Sequence, residues 1–165
     1  MSSSTPEART AAVVTVSDSC SRGERTDLSG PAVAEALKQH GFVIIATEIA
    51  ADERGLIERA LIRHAERAQL VVTTGGTGVA ERDVTPEATR AVCDRLLEGV
   101  AERMRAEGVK KTPFAALSRA VCGIRGTTLI LNLPGSPKGA TDSLAAVINL
   151  LPHALELLGG TTQHA

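Results

Sequence analysis

Aromatic side chains are almost absent from this chain of 165 residues. It contains no tryptophan and no tyrosine, and its two phenylalanines are Phe42 and Phe114. Proteins that bind single-stranded nucleic acids stack bases on aromatic rings, and proteins that bind duplexes carry an excess of positive charge. Here 18 Lys and Arg residues face 19 Asp and Glu residues, for a formal net charge of −1. The composition therefore argues against nucleic acid as a partner, and local groups must hold any anionic ligand.

Cysteine pairs and long apolar segments are also missing. The three cysteines are widely spaced without a CxxC pair, and the four histidines do not cluster. This pattern disfavours a disulfide framework and a zinc site. No segment approaches the ~18–20 apolar residues that a membrane helix needs, and the N-terminal sequence MSSSTPEARTAA lacks the order of a signal peptide. We therefore expect a cytoplasmic protein with no membrane partner.

The length and the hydrophobic content of 43% predict one folded domain, because domains of ~100–200 residues are the norm. A chain of this size buries roughly 70% of its unfolded surface. We expect a disordered lead over residues 1–11, a single α/β domain over 12–160 and a short tail over 161–165.

Short β-branched runs alternate with amphipathic segments along the chain. Strands are predicted at residues 13–16, 42–49, 70–74, 121–124 and 127–133. Helices are predicted from Ser29, from Leu56, from Thr85 toward Glu98, and over residues 100–107 and 141–158. Ser29 and Thr85 are the expected N-caps, and the last helix is expected to be interrupted or kinked at Pro152. This alternation predicts a three-layer α/β/α sandwich with a mostly parallel sheet.

In such a sheet, ligands bind on the loops that follow the strands. The loop after the third strand is the most informative because it contains Gly75, Gly76 and Gly78. Glycines let the backbone approach a ligand closely, and free amides near a helix N-terminus suit a phosphate. The spacing fits neither the P-loop nor the dinucleotide motif. A tight turn without a ligand is the alternative.

Two carboxylates lie on neighbouring loops of the predicted sheet. Asp52 follows the second strand, and Asp83 precedes the helix that starts at Thr85. Carboxylates close to a phosphate loop are what Mg²⁺ requires, since it takes oxygen ligands and retains phosphate oxygens and waters. Alternatively, Asp52 caps its helix and Asp83 interacts with a helix dipole.

Other polar residues fall on the same edge of the sheet. Ser17 and Asp18 end the first strand, where they form either a polar turn or ligand contacts. Ser118 and Arg119 offer a hydroxyl and a cation for a phosphate. Cys20 also lies on a candidate site loop, where its role stays open.

These motifs together resemble the molybdopterin adenylyltransferases, the MogA/MoaB-type proteins and the G domain of gephyrin. The resemblance is carried by Ser17-Asp18, by TTGGTGVAERDVTPEAT and by TPFAALSRAVCGIRGTTLILNLPGSP, and it spans roughly residues 13–159. It implies a three-layer α/β fold that is often trimeric. It also implies a reaction in which Mg-ATP and molybdopterin give adenylylated molybdopterin and pyrophosphate.

The resemblance assigns roles to individual positions of this sequence. Asp52 and Asp83 match the catalytic acidic residues and are the candidate Mg²⁺ ligands. The nucleotide and pterin phosphates are assigned to Gly75, Gly76, Thr77, Gly78 and Ser118, and the pterin side to Ser17, Asp18, Pro134, Gly135 and Ser136. The positive charge of Lys138 or Arg119, beside these loops, is a further candidate for binding the phosphates on the residues alone. The chain departs from many members at Ala51, where they have proline, without losing a catalytic group.

Two further functions remain open on the same fold. The first is a non-catalytic molybdopterin carrier or an oligomeric scaffold. The second is another enzyme, such as a molybdate-inserting transferase or a CinA-type protein, which the segment 82–86 and the chain length disfavour. The family also implies a homotrimer or hexamer and a downstream molybdate-inserting transferase as a partner.

Overall fold

The polypeptide folds around a six-stranded β-sheet. The computed structural model describes residues 7–160. The strands are β1 (Arg9–Val16), β2 (Phe42–Ala50), β3 (Leu70–Thr74), β4 (Arg95–Leu96), β5 (Cys122–Arg125) and β6 (Thr128–Leu133). Their order across the sheet is β2-β1-β3-β6-β5-β4. The first four of these are parallel, and β5 and β4 continue the sheet in antiparallel pairs, which confirms the mostly parallel sheet.

Helices cover both faces of this sheet. They are α1 (Asp18–Ser21), α2 (Ser29–Gln39), α3 (Arg54–Ala65), α4 (Thr85–Val92), α5 (Glu98–Gly108), α6 (Pro137–Val147) and α7 (Leu151–Leu158), with a 3-10 helix at Pro113–Leu117. Alternate residues of a strand point to opposite faces. Val13 thus belongs to the core cluster that also contains residues of α2, α5, α6 and α7, and Val14 belongs to the cluster on the other face, with residues of α3 and α4. The three-layer sandwich is therefore confirmed. Among residues 7–160, no helix is long and apolar enough to cross a membrane.

The first strand is longer than predicted. It begins at Arg9 and not at Val13, because it pairs with β2 from its first residue onward. The predicted disordered lead over 1–11 therefore overlaps the start of β1. Residues 1–6 of that lead and the predicted tail over 161–165 lie outside the described residues.

The two predicted N-caps are wrong, because the Ser29 hydroxyl bonds to Thr74 on β3 and the Thr85 hydroxyl bonds to the backbone of Gly75. Helix α2 begins at Ser29 itself, and Asp27 Oδ1 accepts the hydrogen bond of the Gly30 amide at 3.0 Å. Helix α4 begins at Thr85, whose hydroxyl donates to the carbonyl oxygen of Gly75 at 3.0 Å.

Several helix boundaries also differ from the predictions. Helix α4 ends at Val92 and not near Glu98, because the chain becomes extended at Cys93 and enters β4. The last predicted helix is interrupted near Pro152, as expected, and so forms two helices. Helix α6 starts at Pro137, where the Ser136 hydroxyl accepts the Gly139 amide, and α7 starts just before Pro152.

Candidate functional site

The loops that follow β1, β2, β3 and β6 meet at one edge of the sheet, as the parallel order requires. The amide of Ser17 donates to the carbonyl oxygen of Ala50 at 2.9 Å, joining the ends of β1 and β2. The amide of Gly75 donates to the carbonyl oxygen of Leu133 at 3.0 Å, joining the ends of β3 and β6. The candidate residues on these loops are thereby brought together.

The glycine-rich loop needs its glycines. Gly75 and Gly76 have φ angles of +92° and +68°, which side-chain-bearing residues rarely adopt. A Cβ on Gly75 would collide with the carbonyl oxygen of Val16, and a Cβ on Gly76 with the hydroxyl of Thr85. Gly78 has no positive φ, but a Cβ there would lie 2.9 Å from Asp83 Oδ2. Positive φ is therefore confirmed for the first two glycines only.

Asp18 and Asp52 bind each other's backbone. The amide of Asp18 donates to Asp52 Oδ2 at 2.9 Å, and the amide of Asp52 donates to Asp18 Oδ1 at 2.9 Å. The N-cap of α3 is Glu53, and its side chain makes no capping bond. Asp52 therefore does not cap its helix, and its Oδ1 atom lies 3.2 Å from the position of a Cβ built on Gly76.

An arginine from the glycine-rich loop pairs with the first of these carboxylates. Arg82 donates from Nε to Asp18 Oδ2 at 2.6 Å and from Nη2 to Oδ1 at 2.9 Å. Chiefly through this hydrogen bond, Arg82 lowers the pKa of Asp18. Burial raises the pKa of Asp52, and the charges of Asp18 and Asp83 raise it further. The two neighbouring carboxyl groups therefore differ in their proton affinity.

Asp83 and Arg119 brace the rest of the loop. Asp83 Oδ2 accepts the amide of Ala80 at 3.1 Å. Arg119 donates to the carbonyl oxygens of Gly78 and Asp83 at 2.7 and 2.6 Å, and it forms an ion pair with Glu87. The guanidinium is thus already occupied, and Arg119 supports the loop backbone rather than offering a free cation to a phosphate.

Lys138, the other cation suggested for the phosphates, also has a partner. Its ammonium group lies 3.1 Å from Asp142 Oδ2, and Lys111 lies 3.2 Å from the other oxygen of that carboxylate. Ser118 is placed differently. Its Oγ accepts the amide of Ala120 at 3.3 Å, which leaves the hydroxyl proton available to a ligand.

Two adjoining cavities lie at this edge of the sheet. The larger, of about 720 Å³, extends toward α5, α6 and the 3-10 helix. The smaller, of about 400 Å³, lies against the loop between α1 and α2. Their shared lining residues are Gly76, Asp83, Gly135 and Ser136. The two cavities therefore meet at the glycine-rich loop.

Most of the predicted site residues line one or both cavities. The larger also has Thr77, Gly78, Ser118 and Pro134 in its wall, and the smaller also has Ser17, Asp52 and Gly75. Asp18 lines neither of these two cavities. Cys20 lines the smaller one.

Sequence reasoning missed Asp27, which lies in the wall of the smaller cavity. Its carboxylate accepts hydrogen bonds from the hydroxyls of Thr15 and Ser29, at 2.7 and 3.4 Å, and from the amide of Gly30. Ser29 in turn hydrogen-bonds to Thr74 on β3. The signal was an aspartate that precedes a Ser-Gly helix start, which is a common capping pattern.

The carboxylates at the junction suit a hard cation. Among residues 7–160, no group of three His, Cys, Asp or Glu side chains could hold a metal ion. Asp52 and Asp83 both line the smaller cavity. Mg²⁺ commonly binds through one or two carboxylates and completes its shell with phosphate oxygens and waters. The donor set therefore fits Mg²⁺ held jointly with a phosphate ligand.

The fold and the site define an α/β protein whose two cavities meet at a glycine-rich loop on the carboxyl edge of its sheet. Residues 12–153 match the family described as "Probable molybdopterin binding domain". The chain belongs to this family, which confirms the resemblance carried by its motifs.

Named relatives cover most of the chain. A molybdopterin adenylyltransferase of Helicobacter pylori strain J99 is 47% identical over 152 residues, which are 90% of this chain and 86% of that protein. The Escherichia coli K12 protein of the same name is 42% identical over 139 residues, covering 82% and 71%. The crystal structure of the molybdopterin biosynthesis enzyme MoaB from Thermus thermophilus superposes with a TM-score of 0.87 at 52% identity, covering 92% and 97%.

Proposed function

We propose that this chain is a molybdopterin adenylyltransferase. An oxygen of the pterin's terminal phosphate attacks the α-phosphorus of ATP, the bond to the β-phosphate breaks, and pyrophosphate leaves. The observation that carries this proposal is the pair of cavities that share Gly76, Asp83, Gly135 and Ser136. Two substrates bound in adjoining cavities would meet with their phosphates at the glycine-rich loop.

The backbone of Gly75–Gly78 and the hydroxyl of Ser118 hold phosphate groups in this proposal. Ser17 and the turn of Pro134, Gly135 and Ser136 lie on the pterin side. The amides at a helix start favour an anion, and α6 begins directly after this turn. Substrate binding thus relies on backbone donors, in keeping with the net charge near zero.

Asp52 and Asp83 would hold Mg²⁺ together with the triphosphate. When bound, the ion would neutralise charge on the triphosphate and on the departing pyrophosphate. The attacking phosphate is already anionic at neutral pH, so the site needs no strong general base. The protein's contribution is therefore to bring two anionic groups into line and to stabilise the charge that develops.

The test is to incubate the purified protein with molybdopterin, ATP and Mg²⁺ and to follow adenylylated pterin and pyrophosphate. Asp83→Asn is the matched variant, because its amide oxygen can still accept the Ala80 amide. We expect product from the wild type, and a loss of roughly 100-fold or more in the variant with an unchanged melting temperature. Tight pterin binding without product would instead support a carrier or scaffold.

We also propose the homotrimeric assembly that the family resemblance implies. Strand β2 is a sheet edge, and Val43, Ile45 and Ile49 on it are 46%, 40% and 44% exposed. An apolar edge of this kind is usually covered. Light scattering should give three times the mass of one chain, and Ile45→Lys should lower that mass.

We place the reaction in the cytoplasm, where a molybdate-inserting transferase would take up the product.

A further inference from the structure

We propose that Asp18 and Arg82 are positioning residues that hold Asp52 in place for the transfer and do not contact substrate. This inference rests on the proposed function and refines it, because the family resemblance puts Asp18 on the pterin side. We call the three side chains of Asp18, Arg82 and Asp52 the carboxylate bridge.

The first part of the bridge joins the ends of β1 and β2. Each aspartate accepts the backbone amide of the other at 2.9 Å. These two hydrogen bonds, with the bond from the Ser17 amide to the Ala50 carbonyl, fix the two loops relative to each other. The position of the Asp52 carboxylate is therefore set by Asp18 and not by its own helix.

The second part brings in the glycine-rich loop. Arg82 binds Asp18 through both Nε and Nη2, at 2.6 and 2.9 Å. A two-point contact fixes orientation as well as distance. Asp18 Oδ1 thus accepts from both Arg82 and the amide of Asp52. Without the guanidinium, Asp18 can rotate away from that amide.

The bridge leaves one oxygen of Asp52 available. Oδ2 accepts the amide of Asp18, and Oδ1 faces Gly76. Asp52 lines the smaller cavity, whereas Asp18 and Arg82 line neither cavity. The roles therefore separate: Asp52 faces the ligand, and the other two members orient it.

Charge supports the same division. Asp18, Asp52 and Asp83 are three carboxylates on adjacent loops, and Arg82 forms its ion pair with Asp18. The Arg82 side chain is 62% exposed, so the pair adds little to global stability. The two-point contact of Arg82 with Asp18 therefore matters to the site more than to the stability of the fold.

The experiment compares Arg82→Ala, Arg82→Lys and Asp18→Asn with the wild type. Arg9→Ala is the matched control, because it removes another arginine ion pair at the surface, with Glu156, from the opposite end of β1. Steady-state kinetics give kcat and the KM for molybdopterin. Hydrogen exchange of the Asp52 amide, measured by NMR on the same proteins without substrate, reports the bridge directly.

We expect Arg82→Ala to lower kcat by about 10- to 100-fold and to change the KM for molybdopterin by less than about twofold, because Arg82 lines neither cavity. The Asp52 amide should exchange at least about tenfold faster. Compared with Arg82→Ala, Arg82→Lys should recover only part of kcat and only part of the protection of the Asp52 amide, since an ammonium group lacks the planar two-point contact. Arg9→Ala should change neither.

Unchanged kcat and unchanged Asp52 exchange in Arg82→Ala would overturn the inference. A raised KM with an unchanged kcat would also overturn it, because Arg82 would then contact substrate. If the wild type itself forms no adenylylated pterin, the proposed function fails. The exchange measurement would still test whether Arg82 orders the Asp52 amide.

Discussion

At the scale of single residues, the fold shifts neighbouring carboxyl groups in opposite directions. Burial raises the pKa of Asp52, and the Arg82 hydrogen bond lowers the pKa of Asp18. A raised pKa means that the native state binds the proton more tightly than the unfolded chain does. Ionised Asp52 therefore reduces stability once the pH exceeds its native pKa, whereas ionised Asp18 adds stability above its unfolded pKa.

We expect Asp52→Asn to raise the free energy of unfolding at pH 7 in metal-free buffer. It removes a partly buried charge, and its amide oxygen can still accept the Asp18 amide. The gain should disappear below about pH 4, where the wild-type carboxyl group is itself protonated. Urea denaturation at both pH values measures this. A gain of equal size at both would show that the charge is not the cause.

Asp142→Asn is the control of opposite sign. Hydrogen bonds from Lys138 and then Lys111 lower the pKa of Asp142. Its ionised form therefore stabilises the native state above the unfolded pKa, and this stability is lost as the pH falls through the native pKa. The variant should be less stable than the wild type at pH 7 and equal to it in acid.

Backbone geometry at Gly75 gives a second residue-scale prediction. Gly75→Ala adds a Cβ against the carbonyl oxygen of Val16 at a φ of +92°. In Gly126→Ala the φ is +59°, and nothing lies within 4 Å of the new atom. In Gly126→Ala the free energy of unfolding should fall only by the conformational cost of a positive φ, about 1–2 kcal/mol. Denaturation should show a clearly larger loss for Gly75→Ala, and equal losses would contradict the close approach.

At the scale of secondary-structure elements, Asn132 connects two strands and a helix inside the protein. Its Nδ2 donates to the hydroxyls of Thr73 on β3 and Thr89 on α4, at 3.0 and 2.9 Å. Its Oδ1 accepts the amide of Val121, just before β5, at 3.1 Å. Asn132 itself is completely buried, so the loss of this side chain would leave several polar groups without partners.

We expect Asn132→Ala to lower the free energy of unfolding by about 2–4 kcal/mol, because it leaves the Val121 amide without its hydrogen-bond acceptor and leaves a void. Thr89→Val replaces one hydroxyl with a methyl group of similar size and should lower the free energy of unfolding by about 1 kcal/mol. Chemical denaturation of both variants tests this ranking. A larger loss for Thr89→Val would show that α4, and not Asn132, organises the contact.

The elements themselves were largely predictable from the sequence. Buried β-branched runs such as the one at Leu70–Thr74 have few alternatives to a strand, and their alternation with helices specifies the layers. Helix boundaries were less predictable where the hydroxyl of a residue at the helix start bonds to a residue far away in the sequence. Ser29 and Thr85 have the composition of N-caps, but they bind Thr74 and Gly75, and no local pattern reveals such contacts.

The parts of the candidate site that depend on local sequence motifs were predictable. The parts that depend on contacts between residues distant in the sequence were not. The glycine-rich sequence at 75 and 76 predicts a backbone with positive φ, which both residues adopt. The contact between Arg82 and Asp18 joins residues 64 positions apart in the chain. Arg119 looked like a phosphate cation because its partners, Glu87 and two backbone carbonyls, are distant in sequence. Local motifs show which residues gather at the site but not which of them stay free.

At the scale of the whole molecule, the folded core should protect two of its three thiols. Burial raises the pKa of Cys93 to about 11 and that of Cys122 to about 12. At pH 8 only about one in a thousand or fewer of these groups would be thiolates, the reactive form. Cys20 lies apart from both, on α1 in the wall of the smaller cavity.

We expect a thiol reagent at pH 8 to modify about one thiol per native chain rapidly and all three free cysteines in denaturant. Cys20→Ser should remove the rapid phase. Cys122 is buried on one face of the sheet, whereas Cys93 is half-buried on the other face. The modification of Cys122 should therefore follow the rate of global unfolding and quicken with added urea, and that of Cys93 should be slow because little of its thiolate is present. Three rapid equivalents from the native protein would show that burial does not protect these two thiols.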